Sequence, residues 1–560
     1  MILFTAVLYS LLLFAPIHGF PLGRGRGILG NPPVFHPGLL CNLPIPVVQQ
    51  LLCPRQSTPS LNVLTPLGIA RGAADGSNAA RFAVKYASAS RWQPSSLVTT
   101  WQLPNGNTDP TKLPLSCPQT GVDGSTMSED CLSMILYVPN SVHIGSNVPT
   151  LVWIHGGTFI FGSATGPGLD GANLAVATNS IVAVIQYRLG ALGFLSPSGN
   201  TNLAVKDVVN SLKFLKTVLP AFGGDTSRVT VAGQSAGASM IRALLAAPSA
   251  SSYFRSAIIQ SDTMDYGILS TSSQQTLQNF YNTLLTCSSA DTACLNGLSI
   301  DTILNSQNDF SNNAVNYDAS AGVVEPIRPS RDALITSPLD STAPFPQVSK
   351  PLLVTSVRNE AGFTIYGGFP DGLDSATYIG AVTGAFGNQS ATLLLAQPSY
   401  AIPTQVEGGT QDLRPQLQQM GNDQVWRCPS WTFTRNWVNN GGTVFAGEFM
   451  VGATYPGNEQ VPFCTQAGSV CHQDDIEIVF GTVPSPTAAQ AALTTEVQAR
   501  YSAFLRTGNP NVSGRPNWPA ASGNNVNAIQ LGASGMASIG ACDPSFWGAA
   551  VPYDYQTFAN

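Results

Sequence analysis

Arg228-Val229-Thr230-Val231-Ala232-Gly233-Gln234-Ser235-Ala236-Gly237 is the stretch that decides how this chain folds. Its first five residues are mostly apolar or β-branched, the composition of a short buried strand. Ala238-Ser239-Met240-Ile241-Arg242-Ala243-Leu244-Leu245 follows and reads as a helix. A strand, Gly-x-Ser-x-Gly and a helix in that order place a serine at the apex of a sharp turn. The two glycines let neighbouring backbone segments pass close together. The turn exposes Ser235 Oγ at the end of a sheet and leaves the Ala236 amide at a helix N-terminus, where it can hold an anionic oxygen. Short Gly/Ser matches also arise by chance, so the flanking strand and helix give this one its meaning.

Outward from the turn, apolar strand-like runs alternate with helical stretches. Thr150-Leu151-Val152-Trp153-Ile154, Ile181-Val182-Ala183-Val184-Ile185 and Pro351-Leu352-Leu353-Val354-Thr355 read as strands. Val208-Val209-Asn210-Ser211-Leu212-Lys213-Phe214-Leu215 reads as a helix between them. The alternation predicts an α/β fold with a large, mostly parallel central sheet and helices on both faces. No linker and no internal repeat interrupt it after about residue 61, and Gly/Ser/Asn/Pro clusters near 104–127 and 512–526 predict surface loops.

The 560 residues are 44% hydrophobic, enough for a large core. A net charge of −6, with 10% charged residues and no basic block, argues against a nucleic-acid partner. The apolar run from Met1 ends at Pro16, too short to span a bilayer comfortably. Residues 1–19 therefore read as a signal peptide cleaved near Gly19, although no basic residue precedes the run; a membrane anchor is the alternative. No later segment is long and apolar enough to span.

Residues 20–60, rich in Gly and Pro, read as an N-terminal extension packed by a Cys41–Cys53 bridge. Ten cysteines fit an oxidising compartment. Cys117 and Cys131, Cys287 and Cys294, and Cys464 and Cys471 are close in sequence, and Cys428 and Cys542 remain. Sequence alone leaves the connectivity open. With no Cys-x-x-Cys pair and few histidines, a zinc or other metal site is not expected. Asn388-Gln389-Ser390 and Asn511-Val512-Ser513 are glycosylation sequons, which fits a secreted, extracellular protein.

A serine hydroxyl is a poor nucleophile without a base in hydrogen-bond reach. The chain has five histidines: His18, His36, His143, His155 and His472. Where the nucleophile sits on such a turn, the chain order is serine, acid, histidine. Only His472 lies downstream of Ser235, so elimination selects it over the reading as a surface-loop histidine. Glu360 follows the 351–356 strand through a short turn, where catalytic groups of such sheets collect. On position alone it can equally cap a helix or pair with a cation. Trp153-Ile154-His155-Gly156-Gly157-Thr158-Phe159 runs from a strand into a glycine pair, which suits a second arm of an oxyanion hole; a plain tight turn is the alternative. His155 precedes the serine and reads as a structural loop residue.

From about residue 61 to 553 the chain resembles the type-B carboxylesterase/lipase family of α/β-hydrolases, which includes cholinesterases and secreted fungal lipases. Ser128-Glu129-Asp130-Cys131-Leu132 matches one family signature. Phe222-Gly223-Gly224-Asp225, with the 228–237 stretch, matches the other. Gln186-Tyr187-Arg188, Gly193-Phe194 and Ala257-Ile258-Ile259-Gln260-Ser261 fall in the family's order. Arg358-Asn359-Glu360-Ala361-Gly362 resembles its acid turn, and Cys471-His472-Gln473-Asp474-Asp475-Ile476 its histidine turn.

The resemblance implies a single α/β-hydrolase catalytic domain over 61–560. It implies a Ser235–Glu360–His472 triad with an oxyanion hole from the Gly157, Thr158 and Ala236 amides. It also implies Cys117–Cys131, Cys287–Cys294 and Cys428–Cys542 bridges, with Cys464–Cys471 closing the loop of His472. The implied reaction is hydrolysis of a small-molecule ester or lipid through an acyl-enzyme, with no cofactor, leaving room for transient contact with a lipid interface. A lipase, sterol esterase or feruloyl-type esterase would use the same triad. Neuroligin-like binding proteins share the scaffold but typically lose the nucleophile, and peptidase activity would be out of character for the family.

The departures carry information of their own. Thr158 stands where the family has a third glycine, and its β-branched side chain restricts the backbone. Gln234 stands where the family often has Glu, which removes a negative charge near the imidazolium and lowers the base's pKa. The segment from Pro118 to Asp130 contains no Trp, Tyr or Phe, so it lacks the aromatic that grips a quaternary ammonium in cholinesterases and is short for an interfacial lid.

Overall fold

The computed structural model describes residues 60–76, 78–322, 324–403 and 411–558. The signal segment 1–19, the extension up to residue 59 and the expected Cys41–Cys53 bridge lie outside the described residues.

A strand that is apolar at every position must be covered on both faces. Leu151 and Trp153 enter one core, whereas Val152 and Ile154 enter another on the opposite face. Ile181–Ile185 divides in the same way, with Val182 and Val184 on one side and Ala183 and Ile185 on the other.

These strands belong to a ten-stranded sheet. In chain order they are β1 (Ala73–Asp75), β2 (Ala79–Lys85), β3 (Ser133–Pro139), β4 (Val148–Ile154) and β5 (Ile181–Ile185). They continue as β6 (Gly224–Gln234), β7 (Ser256–Gln260), β8 (Pro351–Val357), β9 (Thr443–Phe449) and β10 (Ile529–Leu531). The spatial order is β10-β9-β8-β7-β6-β4-β5-β3-β2-β1. Every pairing from β10 to β5 is parallel. The β5–β3, β3–β2 and β2–β1 pairings are antiparallel. The sheet is thus the mostly parallel one expected, with an antiparallel flank. Only a short hairpin joins β1 to β2, a connection that an antiparallel pair allows and a parallel pair does not.

Helices cover both faces. Leu203–Val218 and Ala236–Leu245 bury Val208, Leu212, Leu215, Met240 and Leu244 in the first core. Ala172–Thr178 and Ala488–Thr507 bury Leu174, Val497, Tyr501 and Phe504 in the second. A third cluster, including Tyr378, Trp431, Trp547 and Tyr553, packs around the Cys428–Cys542 bridge. The Cys117–Cys131, Cys287–Cys294 and Cys464–Cys471 bridges are also formed.

Because the strands run parallel, their carboxyl ends share one edge of the sheet. β4, β6 and β8 deliver His155, Ser235 and Glu360 to that edge, and the segment after β9 brings His472 back to it.

Candidate active site

The turn after β6 is tight enough to exclude side chains. A Cβ on Gly237 would stand 2.1 Å from the Ile154 carbonyl oxygen, and one on Gly233 would stand 2.7 Å from it. Ser235 itself takes φ 58° and ψ −127°, a conformation that L-residues rarely adopt. Its amide donates to the Gln260 carbonyl at 2.9 Å, and its own carbonyl accepts from Ala238 and Ser239, which starts the helix. The strain is therefore fixed by the neighbouring strand on one side and the helix on the other.

Glu360 lies beyond β8, buried to 1% exposure. Its Oε1 accepts from the Val357 amide at 2.8 Å. Asn422 braces the turn, accepting from the Ala361 amide at 2.8 Å and donating to the Arg358 carbonyl at 2.9 Å. The turn is also stitched to the histidine loop. Asn359 N–H donates to the Val470 carbonyl at 2.8 Å, and Val470 N–H returns a bond to Asn359 Oδ1 at 3.0 Å.

The result is a 2.6 Å hydrogen bond between His472 Nδ1 and Glu360 Oε2. With a carboxylate accepting at Nδ1, the proton resides there and Nε2 is left bare to act as a base. Gln234 Nε2 approaches that bare nitrogen at 3.1 Å. Ser235, Glu360, His472, Gly157 and Thr158 all line one cavity of about 460 Å³.

The loop of His472 is heavily reinforced. The Cys464–Cys471 bridge ends one residue before the histidine. Asp474 accepts from Tyr455 N–H, Asn458 Nδ2 and Cys471 N–H, at 2.8, 2.8 and 2.7 Å. Asn458 Nδ2 also donates to the His472 carbonyl at 2.9 Å. Asp475 accepts from Gln260 Nε2, tying the loop to the end of β7. The Trp426 ring stands 5.4 Å from the imidazole.

Burial alone would pull the His472 pKa down. The hydrogen bond and charge of Glu360, with Asp475 and Glu325 adding to them, outweigh it and hold the imidazole above its ordinary 6.5. His155 differs. Burial pushes it to about 4 despite the Gly156 carbonyl 2.9 Å from Nδ1, so it stays neutral, stacked on Tyr187 with ring centroids 4.6 Å apart.

The loop after β4 holds three successive residues at positive φ: Gly157 at 110°, Thr158 at 48° and Phe159 at 61°. For β-branched Thr158 this is a strained backbone. The loop's own hydrogen bonds orient its amides. The Gly156 carbonyl is turned to His155, and the Gly157 carbonyl accepts from Ile160 and Phe161 at 2.9 Å. In a trans peptide the next N–H points the opposite way, so the Gly157 and Thr158 amides turn away from these bonds. The Ala236 amide is the first of its helix and has no partner within it.

The segment from Pro118 to Asp130 contributes no residue to the cavity wall. Gln119 instead clamps Gly162, donating to its carbonyl and accepting from its amide at 2.9 Å each. Asp423, Cys428 and Cys542 lie as close together as metal ligands, but the two sulfurs are bonded to each other. Asn388 is exposed beside a kink at Gly387. Asn511 spends its amide nitrogen on Asn509 Oδ1 and the Trp518 carbonyl, each at 2.9 Å.

Several residues that bear on the site carried no sequence signal: Asn422, Trp426, Asn458 and Glu325. They lie outside any motif, and only the tertiary fold brings Trp426, Asn458 and Glu325 to the cavity wall and Asn422 behind the Glu360 turn.

A doubly covered, mostly parallel sheet with a strained serine turn at its carboxyl edge defines an α/β-hydrolase. The chain belongs to the carboxylesterase family, whose model matches residues 60–547, and is a carboxylic ester hydrolase. Among curated proteins it is 30% identical to the human protein named cocaine esterase over 413 residues, 70% of each chain. It is 28% identical to mouse carboxylesterase 3B over 419 residues, 70% of this chain and 69% of that one. Among solved structures, a PNB esterase superposes with a TM-score of 0.67 at 24% identity, covering 84% of this chain and 95% of the other. That likeness speaks for the fold alone.

Proposed function

We propose that the protein is a secreted serine esterase working through an acyl-enzyme. Ser235 Oγ attacks the ester carbonyl while His472 Nε2 takes its proton. Glu360 keeps the imidazole in the working tautomer and stabilises its cation. The amides of Gly157, Thr158 and Ala236 hold the tetrahedral oxyanion. His472 then protonates the leaving alcohol, and water repeats the sequence on the acyl group. No cofactor takes part. The 2.6 Å Glu360–His472 bond, in the cavity that also exposes the strained Ser235, carries this reading.

Initial rates on 4-nitrophenyl butyrate and palmitate test it, with Ser235→Ala as control. Butyrate turnover should fall by several orders of magnitude, on the order of 10⁴-fold, in the variant. Near-normal turnover there would remove Ser235 as nucleophile. A preference for palmitate would move the reading toward long-chain esters. One observation favours that second reading: Val324 and Phe363, lining the cavity, are 53% and 38% exposed and give it an apolar rim.

Residues 61–560 form the catalytic unit in this proposal. Secretion is supported by the apolar N-terminal run, the four bridges and the absence, among described residues, of any helix long and apolar enough to cross a membrane. Asn388 is open to glycosylation, whereas a glycan on Asn511 would displace its bonds to Asn509 and Trp518.

A further inference from the structure

The two edges of the sheet differ in charge. The catalytic cavity opens at the carboxyl edge, where the strands end. In a parallel sheet each connecting helix runs back and finishes at the amino edge, where the next strand begins. Lys213 and Lys216 lie near the end of the Leu203–Val218 helix, and Arg506 lies in the last turn of the Ala488–Thr507 helix. Arg255 directly precedes β7, and Lys350 directly precedes β8. All five are therefore delivered to the amino edge.

They form one patch. The ammonium groups of Lys213 and Lys216 each stand 6.0 Å from the centre of the Tyr253 ring. Lys350 Nζ stands 4.5 Å from the centre of the next ring, Phe254, and donates to the Ser251 and Phe254 carbonyls at 2.8 and 2.6 Å. Arg255 follows Phe254, is exposed, and donates through Nη1 to the Arg506 carbonyl at 3.1 Å. The Arg506 guanidinium donates to the Thr178, Asn179 and Ser502 carbonyls.

Among the described residues, none of the five forms an ion pair. A carbonyl accepts a hydrogen bond from a cation but leaves its charge uncompensated. Burial and the Lys216 ammonium pull Lys350 below its ordinary pKa, and burial and the Arg228 guanidinium do the same to Arg506. The nearby chain supplies almost no counter-charge. Residues 140–147, 246–255, 341–350 and 436–442, which lead into β4, β7, β8 and β9, contain no Asp or Glu. The one acid at the start of β6, Asp225, is paired with Arg228 at 2.7 Å. The chain as a whole has 31 acids against 25 Lys and Arg, so this edge is a segregation of charge. Cations gathered without counter-charges repel one another, and an anionic partner relieves that repulsion. No basic block marks the sequence, because the cations come from separate segments.

The surroundings of the cations select the partner. Thr217, Ser251 and Ser252 are exposed beside them and offer hydroxyls. Among the described residues, no large apolar side chain is exposed on 206–222, 246–255, 341–350 or 502–509, so this edge has nothing to insert into a bilayer.

We propose that the amino edge of the sheet is a docking surface for an acidic polysaccharide, whose carboxylates meet Lys213, Lys216, Arg255, Lys350 and Arg506. The choice of a polysaccharide draws on the secretion proposed above, whereas the charge of the surface stands apart from it and from the assignment of Ser235. Because the cavity opens at the opposite edge, a docked molecule keeps its active site open to esters.

The test measures binding of the full chain to immobilised polygalacturonate, with neutral dextran as the control surface. Binding to polygalacturonate alone, lost as salt is raised, is expected. The Lys213→Gln, Lys216→Gln double substitution should weaken it by about tenfold or more, and Arg255→Gln by about threefold. Lys112→Gln with Arg331→Gln removes the same charge from exposed positions outside this edge, and should leave the affinity within about twofold. Turnover of 4-nitrophenyl butyrate should be the same in every variant, and the same for free and docked protein. No binding to polygalacturonate, equal binding to dextran, or equal weakening by the two double substitutions would overturn the proposal. Binding to phosphatidylserine–phosphatidylcholine vesicles in place of polygalacturonate would overturn it in favour of a lipid surface. Turnover that falls on docking would set the polymer over the cavity and overturn the assignment to the amino edge.

Discussion

The two sides of the catalytic cavity are held in place by different means. On the His472 side the geometry is over-determined by partners: a disulfide one residue away, three donors on Asp474, and Asn359 and Asn422 stitching the acid turn to its surroundings. On the serine side only the backbone is held: Ser235, Thr158 and Phe159 sit at strained positive φ, fixed by backbone bonds such as Ser235 N–H to the Gln260 carbonyl. A base must present one ring nitrogen in one direction while its charge changes, and bonds to partners achieve that. A nucleophile and an oxyanion hole need exposed atoms with nothing in front of them, so bracing by partners would block them, and a constrained backbone does the holding instead.

The sharpest way to break the comparison is Glu360→Gln. It keeps the shape of the braced side but removes the charge that fixes the imidazole tautomer. We expect kcat on 4-nitrophenyl butyrate to drop by about 10³–10⁴-fold, with little change in melting temperature at alkaline pH, where His472 is neutral. The same substitution has a pH signature. His472 must be neutral to act, so its raised pKa places the acid limb of kcat/KM above 6.5 in the parent chain. Without the Glu360 charge the limb should move to lower pH. The His472–Glu360 pair also adds stability that is full below about 6.5 and is lost as pH rises through the higher folded value. Melting temperatures across that window should show the loss in the parent chain and less of it in the variant.

A smaller effect is expected from the Cys464→Ser, Cys471→Ser double substitution. Opening this short loop should cost about 2–3 kcal/mol of stability, read from denaturant midpoints. It should also lower kcat at temperatures where the protein is still fully folded, because the base is no longer confined. Unchanged kcat with lowered stability would mean that the hydrogen bonds of Asp474 hold the loop unaided.

Thr158→Gly tests the strained side. Relief of the left-handed threonine, less the entropy that glycine loses on folding, should raise stability by about 1 kcal/mol while turnover stays within a few-fold. A destabilised variant would show that the threonine side chain makes a contact worth more than its strain. Smallest is Gln234→Glu, which sets a charge beside His472 Nε2 in place of a neutral amide. The acid limb of the pH profile should rise by less than about one unit. A limb that stays put would mean that the new carboxyl is itself protonated.

The serine turn and the histidine were readable in the chain for physical reasons. Gly233 and Gly237 are required by backbone approaching within 3 Å, and His472 was the one histidine in a position to serve. The apolar runs at 150–154, 181–185 and 351–355 all lie within strands of the sheet, because a strand covered on both faces cannot hide its composition. The antiparallel flank did not announce itself: β3 is buried at every position just as its parallel-paired neighbours β4 and β5 are, so burial and composition there leave no mark of pairing direction. Glu360 was ambiguous without the family pattern, since a glutamate after a strand has many uses. Glu325 was unreadable, because what distinguishes it is burial at the cavity wall, which only the tertiary fold creates.

The three groups of the proposed triad lie far apart along the chain, with Ser235, Glu360 and His472 following β6, β8 and β9, and the edge strand β10 comes later still. In that proposal the nucleophile is synthesised long before its base, and a chain stopped short of residue 472 lacks the group assigned to activate Ser235. On the proposed assignment, ester cleavage becomes available only when nearly the whole polypeptide has been made and folded, and activity then reports how much chain has reached its finished form.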